Sequence, residues 1–382
     1  MGPLAGKRII EFGGIGPGPF CGMLFADMGA EVIVVEKKHD DESLLGLSLE
    51  PKFALVNRGK KSIALDLKQP SGKDVVLRLL EDTDGLIEGF RPGVMERLGL
   101  GPDDCLAANP KLVYGRITGW GQDGPLSLAA GHELNYMALS GALFYSGRAD
   151  STPSTPPTLA GDIGGGAMTF VIGMLAALLN SAATGEGQVV DAAITDGSAL
   201  STMLLYGMFK EGTWSSERQN NALDGGAHFY DCYECADGNF VSLCAIEPKF
   251  HTLLLNKLGL DNDPDFSQQY DRQRWPRLKA RIAELVIKRT RQEWCDLLEG
   301  SDVCFAPVLD FDEAPEHAHN KARGSFTSVD GITQPAPAPR FSVTNSEISS
   351  PPPVRGQDTE KVLGAIGFSK EEVIALRAQA VI

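Results

Sequence analysis

The sequence predicts an α/β protein: a doubly wound, mostly parallel sheet forms the larger part, and a smaller α+β domain follows. Three observations carry this. Short, almost continuously apolar strands fill the N-terminal third, helical periodicity separates them, and the pattern changes near Ala222. Arg8–Phe12 reads as the first strand, followed by the glycine-rich turn Gly13 to Pro19 and a helix over Phe20–Met28 that Gly29 closes. Glu31–Glu36 is a second apolar strand, as expected where helices cover both faces of a sheet. Ser62–Lys68 reads as a connection to a helix over Gly72–Glu81, in which Val75, Val76, Leu79 and Leu80 keep helical spacing. Gly85–Glu88 and Lys111–Thr118 are further strands, and their alternation with helices predicts a Rossmann-like sheet.

The large domain is expected over residues 1–195, completed by 335–382, and the small domain over 222–320, with linkers at 196–221 and 321–334. In the small domain, His228–Cys235 and Asn239–Ala245 are β-rich runs joined by the hairpin signal Ala236-Asp-Gly238. Helical segments follow at Pro248–Leu258, Trp275–Lys288 and Gln292–Glu299. Gln334 to Pro353 is proline-rich and reads as a crossing linker, and Ser369-Lys-Glu-Glu372 is a capping box that opens a last helix.

Composition excludes several classes. The 382 residues carry a net charge of -15, which argues against a nucleic-acid binder, because polyanion affinity comes from neutralising phosphates. The hydrophobic share of 43% and charged share of 22% are those of a globular chain. The longest apolar stretch, Met168 to Leu179, is about half a membrane span and reads as a buried helix, so no membrane partner is expected. The N-terminus lacks a secretory core and the C-terminus is not Ser-Lys-Leu. Seven scattered cysteines suit a reducing compartment. Cytoplasm is the default location, with peroxisome or mitochondrion as the eukaryotic alternatives.

The glycine-rich turn does not fit a dinucleotide fingerprint. Gly14-x-Gly16 would need glycine at 19 and Gly16-x-Gly18 at 21, where the chain has Pro19 and Cys21. Pro17 and Pro19 also remove backbone donors from a loop that would have to cradle a pyrophosphate. A cluster of positive residues, Lys52, Arg58, Lys60 and Lys61, stands out from the acidic background, with Lys37, Lys38, Arg91 and Arg97 near the ends of strands. In a parallel sheet these ends share one edge, so an electropositive rim for a phosphate-rich ligand is expected there. Solvated surface lysines are the plainer alternative.

His132 lies in Gly131-His-Glu-Leu-Asn-Tyr136, which fails as a zincin because Tyr136 stands where a second histidine belongs. Cys232 and Cys235 form a lone C-x-x-C, so no metal site is expected. Asp162 precedes Gly164-Gly-Gly166 and a long apolar helix. A cap is its ordinary role, while the glycines would let backbone, or a ligand, come within contact distance and place helix N–H dipoles near the carboxylate, where they could stabilise an enolate oxygen. Glu247 ends an apolar strand in Ala245-Ile-Glu-Pro248.

In order along the chain, Gly14-Ile-Gly-Pro-Gly-Pro19, Asp66-Leu-Lys68, Glu88-Gly-Phe-Arg-Pro-Gly-Val94, Thr118-Gly-Trp-Gly-Gln122 and Gly131-His-Glu-Leu-Asn-Tyr136 are motifs of one known family. So are Gly161-Asp-Ile-Gly-Gly-Gly166, Thr184-Gly-Glu-Gly-Gln188, Leu223-Asp-Gly-Gly226 and Ala245-Ile-Glu-Pro248. On these nine segments the chain resembles the family III CoA-transferase (CaiB/BaiF) and racemase superfamily, its α-methylacyl-CoA racemase branch most closely. The resemblance implies a cofactor-independent isomerase that interconverts (R)- and (S)-2-methylacyl-CoA thioesters, with CoA as part of the substrate, in an interlocked homodimer. It implies that His132 and Asp162 are the catalytic acid/bases and that Glu247 orients His132 from the other subunit. The implied CoA contacts are Ile15, Lys37, Leu65, Gly89, Arg91, Arg97, Gly131 and Tyr136.

Two positions depart from the branch. Lys37 stands where relatives usually carry arginine, exchanging a bidentate phosphate fork for a point charge, and Thr158 stands where racemases often have an asparagine supporting the aspartate. Two acid/bases on opposite faces of a planar enolate are what inversion needs, with His132 on the S face and Asp162 on the R face. The alternatives are a family III CoA-transferase with Asp162 as nucleophile, which generally lacks a histidine at this place, a CoA-binding protein without activity, and a dehydrogenase.

Overall fold

Six parallel strands are hydrogen-bonded in the order β3-β2-β1-β4-β5-β6, so the chain starts at the middle of its sheet and reverses direction once. The computed structural model describes residues 1–38 and 50–382. The strands are β1 (Arg8–Phe12), β2 (Glu31–Glu36), β3 (Lys61–Ala64), β4 (Gly85–Glu88), β5 (Val113–Thr118) and β6 (Gln188–Ala193). Two of them differ from the sequence expectation. The supposed connection at Ser62–Lys68 begins as the edge strand β3, and Gln188–Ala193, for which no strand is expected, forms the opposite edge. Both are short or half-exposed edge strands, where the apolar signature is weakest.

Helices on both faces account for the uninterrupted apolar strands. α1 (Pro17–Asp27), α2 (Pro70–Leu80), α3 (Val94–Arg97), α4 (Pro102–Ala108), α5 (Glu133–Ser140), α6 (Thr169–Thr184) and α7 (Ile194–Ser201) belong to the sheet unit. Side chains alternate in direction along β1, so Ile10 joins the core under α2 and α4 while Ile9 joins the core under α1 and α6. A π-helix, Leu159–Met168, leads directly into α6. The combined helix Leu159–Thr184 is long and apolar enough to cross a bilayer, yet α6 packs on β5 and β6 as a sheet-covering helix does.

By packing, the chain divides into two compact units: residues 1–140, 156–201 and 324–382, and residues 141–155 and 202–323. The stretch 196–221 therefore holds most of α7 and the helix α8 (Met203–Glu211) rather than an unstructured connection. The second unit contains an antiparallel sheet of β7 (Tyr230–Glu234), β8 (Phe240–Cys244) and β9 (Phe305–Pro307). Its helices are α9 (Pro248–Leu258), α10 (Trp275–Val286), α11 (Arg291–Leu298) and α12 (Ala318–Arg323). The β7–β8 turn has Gly238 at φ 75°, as the hairpin signal requires.

The chain returns to the first unit through the hairpin β10 (Phe326–Val329) and β11 (Ile332–Pro335), an irregular proline-rich run, α13 (Thr359–Ala365) and α14 (Lys370–Ala378). α14 starts with the expected capping box at Ser369 and Glu372. The Asp358 carboxylate accepts from Ser62 N–H at 3.0 Å, which fastens the returning segment to β3.

The positive cluster at Lys52–Lys61 does not form a rim, and this corrects the sequence reading. Arg58 is buried, pairs with Asp27 at 2.6 Å and donates to Gln334 and Pro335 of the returning chain. Lys60 is buried between Glu11, the Pro19 carbonyl and the Asn57 side chain. Its Nζ lies 2.7 Å from Glu11 Oε2 and 3.0 Å from Oε1, aligned as a hydrogen bond only with the latter. Lys61 pairs with Glu31 and Lys52 with Glu50. Burial pushes the Glu11 carboxyl up to about 7, with Lys60 pulling the other way. Gly22 makes the pair possible, since a Cβ there would lie 1.7 Å from Glu11 Oε2.

In the second unit His228 and His251 are both buried, with Nε2 atoms 3.0 Å apart, so one ring donates and the other accepts. Burial, aided at His228 by the neighbouring ring, holds His228 at about 3 and His251 at about 4.

Two outcomes are expected. Lys60→Met strands a buried carboxylate and lowers the unfolding free energy by about 3–5 kcal/mol in guanidinium titrations. Below the ordinary histidine pKa of 6.5 the unfolded chain binds protons that the buried imidazoles refuse. Stability is thus complete above pH 6.5 and lost as pH falls toward 4 and then 3, by up to about 1.4 kcal/mol per pH unit per ring. Denaturant midpoints across this window check it, and the double change His228→Gln, His251→Gln should flatten the slope.

Candidate active site at the carboxyl edge

The parallel strands deliver their C-terminal loops to one edge of the first unit. Ile15 is exposed in the turn after β1, Lys37 is exposed directly after β2, and Gly89 and Arg91 are exposed after β4. Arg97 is exposed at the last position of α3. Lys37, Arg91 and Arg97 have no ion-pair partner among the described residues, in contrast to Arg58, Lys60 and Lys61. Leu65 follows β3 at the same edge, but its side chain is buried in the core, so only its backbone is left to meet a ligand.

After β5 the chain turns through Gly119 and Trp120 toward Gly131 and His132. The Tyr136 ring stands edge-on to Trp120 with centroids 4.8 Å apart, and its hydroxyl donates to the Gly131 carbonyl. A Cβ on Gly119 would overlap the Tyr136 ring. His132 sits one residue before α5. Its backbone N–H donates to Asn135 Oδ1 at 3.0 Å and its carbonyl accepts from Asn135 N at 2.8 Å, so the backbone is fixed while the residue stays exposed.

Asp162 lies in the first turn of the π-helix, half-buried, and α5 packs against this helix. Burial pushes its carboxyl up to about 6. The charge of Glu133 adds to the rise, His132 opposes it, and no hydrogen bond offsets it. Asp162 also raises the Tyr136 hydroxyl, secondarily to burial. His132, Asp162, Gly131 and Tyr136 are therefore brought together in one unit. Glu247 is an exposed residue at the start of α9 in the second unit.

One expectation about Asp162 is corrected. It does not cap a helix: Thr158 occupies the N-cap position, and the first N–H groups are taken by a residue that the sequence reading passed over, Glu133. The buried Glu133 carboxylate accepts from Thr158 N at 2.6 Å and from Gly161 N at 2.8 Å. Of the glycines, two serve the close approach of backbone: a Cβ on Gly165 would strike Ser198 and one on Gly166 would strike Ile194, so they let α7 pack closely on the π-helix, while Gly164 meets no other element. The departure at Thr158 has a physical reading as well. Its φ of 60° is left-handed, a conformation that asparagine tolerates and a β-branched residue resists.

Among the described residues no group of three or more His, Cys, Asp or Glu side chains is placed to hold a metal ion. The cysteines are all free.

The chain is 42% identical to α-methylacyl-CoA racemase of Mus musculus over 381 residues, 99% of this chain and 97% of the mouse protein. It is equally identical to the Homo sapiens racemase over 383 residues, with the same coverage. Its fold matches the crystal structure of a CAIB/BAIF family protein from Brucella suis with a TM-score of 0.81 and 26% identity, covering 96% of this chain and 99% of that one. The family model for CoA-transferase family III matches residues 4–359, from before β1 into α13, a range that includes His132 and Asp162. The chain belongs to CoA-transferase family III.

Proposed function

We propose that the protein is a racemase acting on 2-methylacyl-CoA thioesters, and that it works by two-base proton transfer without a cofactor. The observation that carries this reading is the pairing of His132 with a half-buried Asp162 raised to about 6. A carboxyl near neutral pH can both give and take a proton, which inversion requires of each partner. In one direction His132 removes the α-proton from the S face, and the C–H electrons pass into the enolate. Protonated Asp162 then delivers its proton to the R face, and the reverse direction exchanges the roles. The thioester oxygen carries the enolate charge. Since Glu133 occupies the donors at Thr158 and Gly161, the N–H groups of Glu133 and Leu134 at the start of α5, next to His132 and without a backbone partner among the described residues, are the better helix start for that oxygen.

Lys37, Arg91 and Arg97 bind the CoA phosphates in this reading, with Ile15, Leu65, Gly89, Gly131 and Tyr136 along the rest of the CoA moiety. Their shared edge and the free charges support it. We further propose a homodimer in which Glu247 of the partner subunit approaches His132. Exposed apolar residues on α6 to α8, among them Ile172, Leu179, Leu200 and Leu204, support burial by a second copy.

A family III CoA-transferase with Asp162 as nucleophile is the second reading, and it is favoured by the same carboxylate without the histidine. Deuterium uptake separates the two. The enzyme with one enantiomer of a 2-methylacyl-CoA in D₂O should incorporate label at the α-carbon and lose optical rotation with no acceptor acid present. Strict dependence on an acceptor overturns the racemase. His132→Ala and Asp162→Asn should each slow exchange by about 10²–10⁴-fold. Calorimetric titration with CoA should show Arg91→Ala weakening binding about tenfold, while Lys52→Ala, outside the free-charge set, leaves it unchanged.

A further inference from the structure

We propose that Glu133 is the positioning residue of the acid/base pair: its carboxylate clamps the helix start that bears Asp162 onto the helix that follows His132, and so holds a second negative charge at the residue before Asp162. This rests on the proton-transfer reading above and deepens it.

The clamp is built from three independent features. The two carboxylate oxygens are divided between two N–H donors, Oε2 on Thr158 and Oε1 on Gly161, which flank the turn leading to Asp162. Glu133 is buried at 8% exposure, so these bonds compete little with water. Gly161 leaves the space it needs, since a Cβ there would come within 2.6 Å of Glu133 Cγ and 3.0 Å of Met137 Cγ. The φ of Gly161 is not left-handed, so no backbone conformation demands glycine at this place. Glycine is there for the carboxylate. Thr158, held at φ 60° against its preference, is kept there by the first of the two bonds.

A residue adjacent to His132 in sequence and bonded to Gly161, adjacent to Asp162, couples the two acid/bases with very little slack. Its charge also acts on Asp162, because a neighbouring carboxylate disfavours ionisation. The other groups packed against the π-helix do not offer that effect. Just before α5, His132 acts in the opposite sense, and on α5 Tyr136 keeps its hydroxyl on Gly131. On α7, Asp196 acts on Asp191. On α1, Cys21 donates to the Ala167 carbonyl and Asp27 pairs with Arg58. On β5, Arg116 is tied to Glu88 and Glu96.

The test is the pH profile of α-deuterium exchange for each enantiomer, in the full-length enzyme and in Glu133→Gln, Glu133→Asp and Gly161→Ala. Removing the charge lowers the titration of Asp162. In Glu133→Gln, the acid limb for the enantiomer deprotonated by Asp162 should move to lower pH by on the order of one unit. The alkaline limb for the other enantiomer should move the same way. Glu133→Asp keeps the charge and should keep the limbs. Gly161→Ala also keeps the charge but displaces the clamp, so it should leave the limbs in place and reduce the exchange rate about tenfold or more. Limbs in Glu133→Gln that superimpose on the parent's overturn the electrostatic role, and a parental rate in Gly161→Ala overturns the clamp. If Glu133→Gln does not fold, the limbs of Glu133→Asp and the rate of Gly161→Ala still decide. Absence of exchange in the unmodified enzyme is a different result, the failure of the racemase reading itself.

Discussion

The six strands run parallel, and because of this every loop that leaves a strand end opens at the same edge. The turn after β1, Lys37 after β2, Leu65 after β3, Arg91 after β4 and the approach to His132 after β5 are separated by long stretches of chain yet share this border. β6 completes the set by feeding α7, against which the π-helix bearing Asp162 is packed. A parallel sheet must have helices on both faces, and those helices decide which side chains are sealed and which remain at the edge.

Charge is distributed by the same constraint. The cations inside the sheet unit are used to hold it together: Arg58 joins α1 to the returning chain, Lys60 joins β1 to the start of α1, and Arg116 joins β4 to α3. A buried charge must find an opposite partner, so these cannot serve a ligand as well. Lys37, Arg91 and Arg97 lie beyond the strand ends, are exposed to water and have no ion-pair partner among the described residues, so they remain open to an anionic group. In a protein of net charge -15, a small set of exposed cations at one edge is a local signal of considerable weight.

The candidate site shows a related division. Its backbone is bonded through Asn135 on the side of His132 and Glu133 on the side of Asp162, while the side chains of His132 and Asp162 make no such bonds among the described residues. Fixed supports beside free side chains suit the proposed proton transfer, because a carboxyl locked into strong hydrogen bonds would titrate far from neutrality.

By itself the sequence determined the alternation of strands and helices, the hairpin at Ala236–Gly238, the capping box at Ser369 and the motif segments around His132 and Asp162, because each depends on neighbours within a few residues. It could not reveal β3 or β6, whose place at the sheet edges weakens their apolar pattern, nor the π-helix, whose glycines answer to α7. Lys60 reads like any surface lysine until Glu11 is seen beside it, and Glu133 like any helix-start acid until Gly161 is found against it. Those pairings join residues 49 and 28 positions apart, and a contact of that kind exists only once the chain has folded. The faint signal for the second was present in the sequence as a glycine beside Asp162 with no turn to explain it, but only the tertiary structure decided what filled its space.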